Sequence, residues 1–153
     1  MKPVTRLRYC RLLAPERPLL NKFYRNHGSP MRAAAQGQLW VARAEEIVAA
    51  LCLSDVPGGH WLTGLFVAPA WRGQQVARQL IEAAAAELPG NIWLFCHPAL
   101  EGFYARQAFS STGALPAPLA ERLARYQRSK PLLAMLRGQS SLAGSSPGNS
   151  TSV

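Results

Sequence analysis

The chain has 153 residues, 48% of them hydrophobic, which indicates one globular domain. No apolar run reaches the ~18 residues of a membrane-spanning helix, and the N-terminal residues lack the apolar core of a signal peptide. Cys10, Cys52 and Cys96 are widely separated and show neither metal-ligand nor redox spacing. This usage predicts a reducing, cytoplasmic location and no metal site.

The charge is strongly basic: 17 Lys and Arg against 8 Asp and Glu give a net charge of +9. Such an excess favours anionic partners. The basic residues form no consecutive run and do not interleave with aromatic residues, which argues against a nucleic-acid platform. We expect a largely solvated basic surface, part of which serves an anionic cofactor.

The first half of the chain alternates between strand and helix patterns. Residues 5–12 alternate polar and apolar, as in a half-buried strand, and a helix follows from Pro15. Residues 38–44 and 47–53 predict a hairpin whose second strand, apolar throughout, is covered on both faces. The shared apolar face of the first helix is Leu19, Leu20, Phe23 and Tyr24.

The central stretch predicts a strand, a turn and a long amphipathic helix. A turn cluster at 54–60 leads into a strand at 61–67, which is rich in aromatic and branched residues. The helix opens on residues 72–77 and is stopped by Pro89-Gly90. Its apolar positions recur at helical period: Val76, Ala77, Leu80, Ile81, Ala84, Ala85 and Leu88.

The second half predicts shorter elements. They are a buried strand at 91–96, a helix at 98–107, a strand at 109–112, a helix carrying Leu119, Leu123 and Tyr126, and a last strand at 131–136, for which an edge position stays open. The order of elements predicts an α/β sandwich with a mixed sheet. We expect a single domain over residues 1–137 and a disordered Ser/Gly-rich tail over 138–153.

The junction between the central strand and its helix carries candidate chemistry. The first turn of a helix leaves backbone N–H groups without intrahelical partners, and the helix dipole adds partial positive charge there. Gly73 allows a ligand to approach the backbone, and Arg72 adds a full positive charge. The pattern therefore suits a phosphate, although an ordinary strand–helix turn with a solvated Arg72 fits it equally well.

Residues 67–77 read V-A-P-x-x-R-G-x-x-V-A, which resembles the coenzyme A pyrophosphate motif of the GNAT acetyltransferase family, Q/R-x-x-G-x-G/A. Arg72 matches the first position of that motif and Ala77 the last. Gln75 stands where the family usually has its inner Gly, so we expect the Gln75 side chain to point away from the phosphates.

A second stretch, residues 97–109, resembles the family's N-x-x-A-x-x-F-Y-x-x-x-G-F motif. His97 replaces Asn, Leu100 replaces Ala and Ala108 replaces Gly. The two motifs occur in the family's order and spacing, which makes the pair more specific than either motif alone. The resemblance extends over roughly residues 5–136, and its diagnostic part is 61–109.

The resemblance implies a GNAT-type α/β fold: a mixed, mostly antiparallel sheet of six to seven strands flanked by helices, with a splayed central strand pair. The pair would be 61–67 and 91–96, and the pantetheine arm of acetyl-CoA would extend the first of these strands. The implied cofactor-binding residues are Leu65, Phe66, Val67, Arg72, Gly73, Gln74, Gln75, Val76, Ala77, Arg78, Phe103 and Tyr104.

Acetyl transfer needs a neutral amine, stabilisation of an oxyanion and a proton for the departing thiolate. Tyr104 occupies the place where many family members carry the general acid, and a phenol stays protonated at neutral pH. Packing against Phe103 and Phe109 is the alternative role of this residue. His97 is the candidate base, with capping or packing as its alternative. Other candidates for the base are Glu45, Glu46, His60, Glu101 and a relaying water.

The resemblance implies an acetyl-CoA-dependent N-acetyltransferase whose acceptor is an amine of a small molecule, an aminoglycoside-like compound or a protein. In the family's fold the first helical region covers one side of the acceptor site. An acyl-CoA-binding sensor or regulatory partner without catalytic activity is the alternative, and a homodimer stays open. In the first helical region, the candidates to touch substrate are Lys22, Tyr24, Arg25 and His27.

Overall fold

The computed structural model describes residues 6–34 and 36–138, which form a mixed α/β fold with mostly antiparallel strand pairing. The strands are β1 (Arg8–Leu12), β2 (Gln38–Arg43), β3 (Ile47–Val56), β4 (Gly59–Val67), β5 (Asn91–Cys96), β6 (Ser110–Ser111) and β7 (Leu133–Arg137). The α-helices are α1 (Arg17–Asn26), α2 (Val76–Glu87), α3 (Glu101–Ala105) and α4 (Ala117–Gln127). Among the described helices, none combines the length and apolar character needed to cross a bilayer.

The chain divides into two compact units, of which the first comprises Met1–Val56 and His60–Leu88. Its strands lie in the order β1-β2-β3-β4, and β2 pairs antiparallel with both β1 and β3. The core around α1 contains Leu12, Leu20, Phe23, Tyr24, Leu39, Val41, Ala50, Cys52 and Ala68. Residues 48–53 of β3 are all buried, which confirms the prediction of a strand covered on both faces.

The second unit comprises Pro57–Gly59 and Pro89–Val153. Its strands lie in the order β5-β7-β6, all antiparallel. The last predicted strand is present as β7, and the edge position left open for it is wrong, because β7 pairs on one side with β5 and on the other with the two-residue β6. Asn91 N–H donates to the Gly58 carbonyl, and a Cβ on Gly59 would collide with the Asn91 backbone.

The predicted GNAT-type sheet and most elements are confirmed, and β5 has the predicted bounds. Three local predictions are wrong. The turn predicted at 54–60 comprises only Pro57-Gly58, because the flanking strands extend further than predicted. Helix α2 begins at Val76 rather than at Arg72. Leu19, predicted on the apolar face of the first helix, is 44% exposed.

The remaining predictions on organisation stay predictions. They are the single domain over 1–137 and the splayed pair of β4 and β5. Residues 60–67 of β4 belong to the first unit, whereas Gly59 and all of β5 belong to the second. Residues 139–153 of the predicted tail lie outside the described part of the chain, as does the start of the first predicted strand.

Candidate active site

The turn between β4 and α2 holds the first candidate site. After a short 3₁₀ turn at Pro69–Trp71, residues 72–75 are exposed, and α2 starts at Val76. Gly73 has a left-handed backbone with φ of 79°, and a Cβ placed there would meet nothing within 4 Å. The first-turn N–H groups of a 12-residue helix follow directly. An anionic group therefore has open access to the backbone at the positive end of a helix dipole.

Arg72 is held against the end of β4. Its Nε donates to the Val67 carbonyl at 2.8 Å, and its guanidinium carbon lies 5.2 Å from the centre of the Phe66 ring. The Nε contact uses one of five N–H donors, and the two terminal amino groups are those suited to a forked phosphate contact. This hydrogen bond also uses part of the acceptor capacity of the Val67 carbonyl, which is one of the groups predicted to pair with the pantetheine arm.

Two other residues that are predicted to bind the cofactor, Arg78 and Gln74, already contact groups of the protein itself. Arg78 Nε lies 3.3 Å from Glu82 Oε2, an i,i+4 ion pair on the exposed face of α2. Gln74 Nε2 donates to the Ala70 carbonyl at 3.2 Å. The charge of Arg78 is partly neutralised by Glu82 and Gln74 carries no charge, so we expect Arg72 to contribute more to cofactor affinity than either.

Gln75 and Ala108 are the non-glycine residues with positive φ among the described residues, at 63° and 72°. These are also the two positions where the resembled motifs usually have Gly. The backbone shape is thus kept without glycine, at a cost of ~1–2 kcal/mol for each left-handed residue. Strain in the backbone of Gln75 is thus an effect that the motif comparison did not predict, and the expectation that its side chain points away from the phosphates stays a prediction.

We expect Gln75→Gly and Ala108→Gly each to raise the free energy of unfolding by up to about 1 kcal/mol. Relief of the left-handed strain exceeds the added flexibility of the unfolded chain, which costs roughly 0.4–1 kcal/mol. Thermal and denaturant unfolding measure the change. The matched control is Gln74→Gly in the same exposed turn, at a residue without positive φ, which should not stabilise. Destabilisation by both glycine variants would contradict the strain argument.

Tyr24 ties α1 to the middle of β4. It is fully buried, and its hydroxyl donates to the Gly64 carbonyl at 2.6 Å. Gly64 has a φ of 67° within the strand, and a Cβ there would lie 2.9 Å from the Tyr24 oxygen. Burial, with a smaller contribution from Cys52, raises the pKa of Tyr24. The expectation that Tyr24 touches substrate is therefore wrong, because its phenol is committed to the interior.

Sequence reasoning missed this contact, although a lone glycine in a strand pattern signals irregular backbone. It also missed a ring cluster centred on Phe66. The Phe23 and His27 rings each lie 5.8 Å from the Phe66 ring, and the Arg72 guanidinium contacts the same ring. The cluster joins α1, β4 and the turn before α2 within one unit.

Tyr104 lies in a second ring cluster, in the other unit. Its ring is 5.0 Å from Phe103 and 5.9 Å from Phe109, both in edge-on geometry. Burial, with a smaller contribution from the Cys96 thiol, raises the pKa of Tyr104 to about 12. The phenol is therefore a proton donor throughout the neutral range, and its ring also packs in the way the alternative role predicts.

His97 caps the 3₁₀ turn Pro98–Leu100. Its Nδ1 accepts a hydrogen bond from the Ala99 N–H at 3.0 Å. A neutral imidazole has one acceptor nitrogen, so this bond occupies the lone pair that a general base needs. The geometry supports the capping role, and catalysis by His97 requires release of the cap.

We expect His97→Asn to keep both stability and turnover, because Asn is among the best N-cap residues and does not titrate. His97→Ala should lower the free energy of unfolding by roughly 0.5–2 kcal/mol through loss of the cap. Chemical denaturation and a thiol-release assay measure the two effects. A large fall in turnover for the Asn variant with unchanged stability would show instead that the imidazole acts as the base.

The other candidate bases lie in different settings. Glu101 is exposed at the start of α3, and Glu45 and Glu46 are exposed in the β2–β3 turn. His60 Nε2 is 3.2 Å from Asp55, and its buried Nδ1 has no hydrogen-bond partner. In the described part of the chain, His, Cys, Asp and Glu form no group of three that would hold a metal ion.

Comparison with known proteins identifies the family. The model of the acetyltransferase (GNAT) domain matches residues 35–111. This chain belongs to the GNAT acetyltransferase family. No curated protein matches the chain.

Solved structures with the same fold are distant in sequence. A GNAT-family acetyltransferase from Staphylococcus aureus is 14% identical with a TM-score of 0.64, over 88% of this chain and 99% of that one. Naa50 from Arabidopsis thaliana, bound to the bisubstrate analogue CoA-Ac-MVNAL, is 11% identical with a TM-score of 0.61, over 86% and 98%. Neisseria gonorrhoeae N-acetylglutamate synthase, bound to coenzyme A and N-acetyl-glutamate, is 10% identical with a TM-score of 0.64, over 90% and 36%. At these identities the likeness shows the fold.

Proposed function

We propose that this protein is a cytoplasmic, acetyl-CoA-dependent N-acetyltransferase that acetylates a primary amine. The observation that carries the proposal is the turn that opens α2. It combines an open left-handed backbone, a helix N-terminus and an arginine anchored on the preceding strand. Membership of the GNAT family and neighbours solved with coenzyme A or a bisubstrate analogue support it.

The residues present fit acetyl-CoA. The exposed backbone of residues 72–75 and the first turn of α2 would hold the pyrophosphate, with Arg72 adding charge. Backbone groups at 65–67 would pair with the pantetheine arm, and Phe103 would line the thiol end. The full set of proposed cofactor contacts is the one that the family resemblance implies.

The thioester supplies an activated acetyl group. The amine nitrogen forms the new C–N bond as the C–S bond breaks, and the thiolate that leaves must gain a proton. We assign this proton to the Tyr104 hydroxyl, since burial keeps the phenol protonated. His97 stays the predicted base only if it releases its cap; otherwise water carries the proton from the amine.

Two measurements test the function. Calorimetry with acetyl-CoA and free coenzyme A measures cofactor binding, and thiol release is then followed over a panel of amines. We expect micromolar-range binding of acetyl-CoA and turnover on at least one amine. Binding without turnover on any amine would support an acyl-CoA sensor instead, and absence of binding would overturn both readings.

A further inference from the structure

A pocket of about 220 Å³ lies between α1 and the β2–β3 turn, entirely within the first unit. Its walls carry both signs of charge. Lys22 and Arg43 are on the basic side, Glu45 and Glu46 are at the turn, and Phe23 supplies an apolar surface. A cavity of this size, with opposite charges within it, suits a small ligand that carries both an ammonium and a carboxylate group.

Arg43 is a partly buried cation of this pocket whose charge is only partly compensated. Its side chain is only 19% exposed, and the ion pair that it forms with Glu16 is long at 3.4 Å. Its Nε is buried without a hydrogen-bond partner. A partly desolvated guanidinium in this state gains from a further anion at its terminal amino groups. Lys22, exposed in the middle of α1, adds a second cation.

The acidic side of the pocket lies at the hairpin turn. Glu45 and Glu46 are consecutive and exposed, and both contribute to the wall. Two adjacent carboxylates attract a cation more strongly than either alone. Since Lys22 and Arg43 attract a carboxylate, the pocket discriminates in favour of a molecule that satisfies both sides.

The pocket adjoins the strand on which the cofactor is proposed to bind. Phe23 and His27 line the pocket, and their rings also pack on Phe66 of β4. The Arg72 guanidinium contacts the same Phe66 ring. The Phe66 ring thus contacts both the wall of the pocket and the arginine proposed to bind the pyrophosphate.

We propose that this pocket binds the acceptor, and that the acceptor is a small amino carboxylate such as a free amino acid. This inference rests on the proposed acetyltransferase function. The carboxylate pairs with Arg43 and Lys22, and the ammonium group is drawn to Glu45 and Glu46. The ammonium loses a proton to water before attack, so the balanced reaction yields the acetylated amino acid, free coenzyme A and one proton.

The test is a thiol-release screen with three groups of acceptors. They are the standard amino acids, the carboxamide of each amino acid that reacts, and amines without a carboxylate, including polyamines, an aminoglycoside and peptide N-termini. We expect an amino acid to react, and its carboxamide to lose roughly tenfold or more in kcat/KM, because the contacts to two cations are lost.

Two variants assign the effect to the pocket. Lys22→Ala and Glu46→Gln remove exposed charges, so both should fold. Each should raise KM for the amino acid severalfold and leave KM for acetyl-CoA unchanged. Lys130→Ala, at an exposed lysine outside the pocket, is the matched control and should change neither.

The outcomes separate the two proposals. Preference for amines without a carboxylate, or an amino-acid KM that neither pocket variant alters, overturns the acceptor assignment while the acetyltransferase function stands. Binding of amino acids in calorimetry without their acetylation also overturns it. Absence of turnover with every amine, despite binding of acetyl-CoA, overturns the acetyltransferase function and this inference with it.

Discussion

Replacing Tyr104 by Phe should lower kcat by about 10²–10⁴-fold, the range typical of a general acid, while the affinity for acetyl-CoA barely changes. The substitution removes only the hydroxyl. The ring remains available for its contacts with Phe103 and Phe109, so stability should be nearly preserved. Steady-state kinetics, calorimetry with acetyl-CoA and thermal unfolding measure the three quantities on one preparation.

Two further variants complete this comparison. Tyr126→Phe removes a hydroxyl from another tyrosine, one whose ring packs on Phe95, and should leave kcat unchanged. Tyr104→Ala should lose stability as well as turnover, because it removes the ring. Near wild-type turnover of Tyr104→Phe, combined with instability of Tyr104→Ala, would leave Tyr104 as a packing residue and require another proton donor.

The pH dependence of turnover provides a separate check. A general acid must be protonated, so its activity is lost as pH rises through its pKa. Burial raises the pKa of Tyr104 to about 12, so its ionisation should not reduce turnover at pH 8–10. An alkaline fall in turnover within that window, absent from Tyr104→Phe, would contradict the assigned pKa.

Arg72→Ala should weaken acetyl-CoA binding by about 1–3 kcal/mol, or roughly 5–150-fold in Kd, because hydrogen bonds to charged groups contribute up to about 3 kcal/mol. The guanidinium is held by the Val67 carbonyl and the Phe66 ring, so its position is set before the cofactor arrives. Pre-positioning reduces the side-chain entropy lost on binding. Calorimetry at fixed ionic strength measures the change.

Controls separate a local contact from the overall basic charge. Arg125→Ala removes an exposed arginine from α4 and should leave Kd nearly unchanged. Arg72→Lys keeps the charge but loses the fork, and we expect an intermediate Kd. Equal losses for Arg72→Ala and Arg125→Ala would show that only the long-range field matters. Unchanged affinity of Arg72→Ala would place the pyrophosphate elsewhere.

The sequence was sufficient for elements whose patterns are local. The apolar run at 91–96 predicts β5 with its bounds, and the periodicity after residue 75 predicts the buried face of α2. The start of α2 predicted from the sequence is too early, because helix propensity does not reveal that a residue adopts the left-handed conformation. Gln75 adopts that conformation, and helical φ and ψ begin only after it.

The rest depended on contacts between residues distant in sequence. An edge position for β7 is wrong because the strand predicted at 109–112, which shortens to the two serines of β6, pairs with β7, and strand patterns do not specify which strands become neighbours. Tyr24 and Gly64 are 40 positions apart, so no periodicity indicates their hydrogen bond. Likewise, the pattern around His97 leaves its role open, whereas the bond to Ala99 specifies how its lone pair is used.

The bond from Tyr24 to Gly64 has a thermodynamic consequence. It fastens α1, which lines the proposed acceptor pocket, to β4, which is proposed to bind the cofactor. If cofactor binding shifts β4, the shift reaches α1 through this bond and through the Phe23–Phe66 contact. Occupancy of the two sites would then be linked, and linkage is reciprocal: each ligand would change the affinity of the other by the same factor.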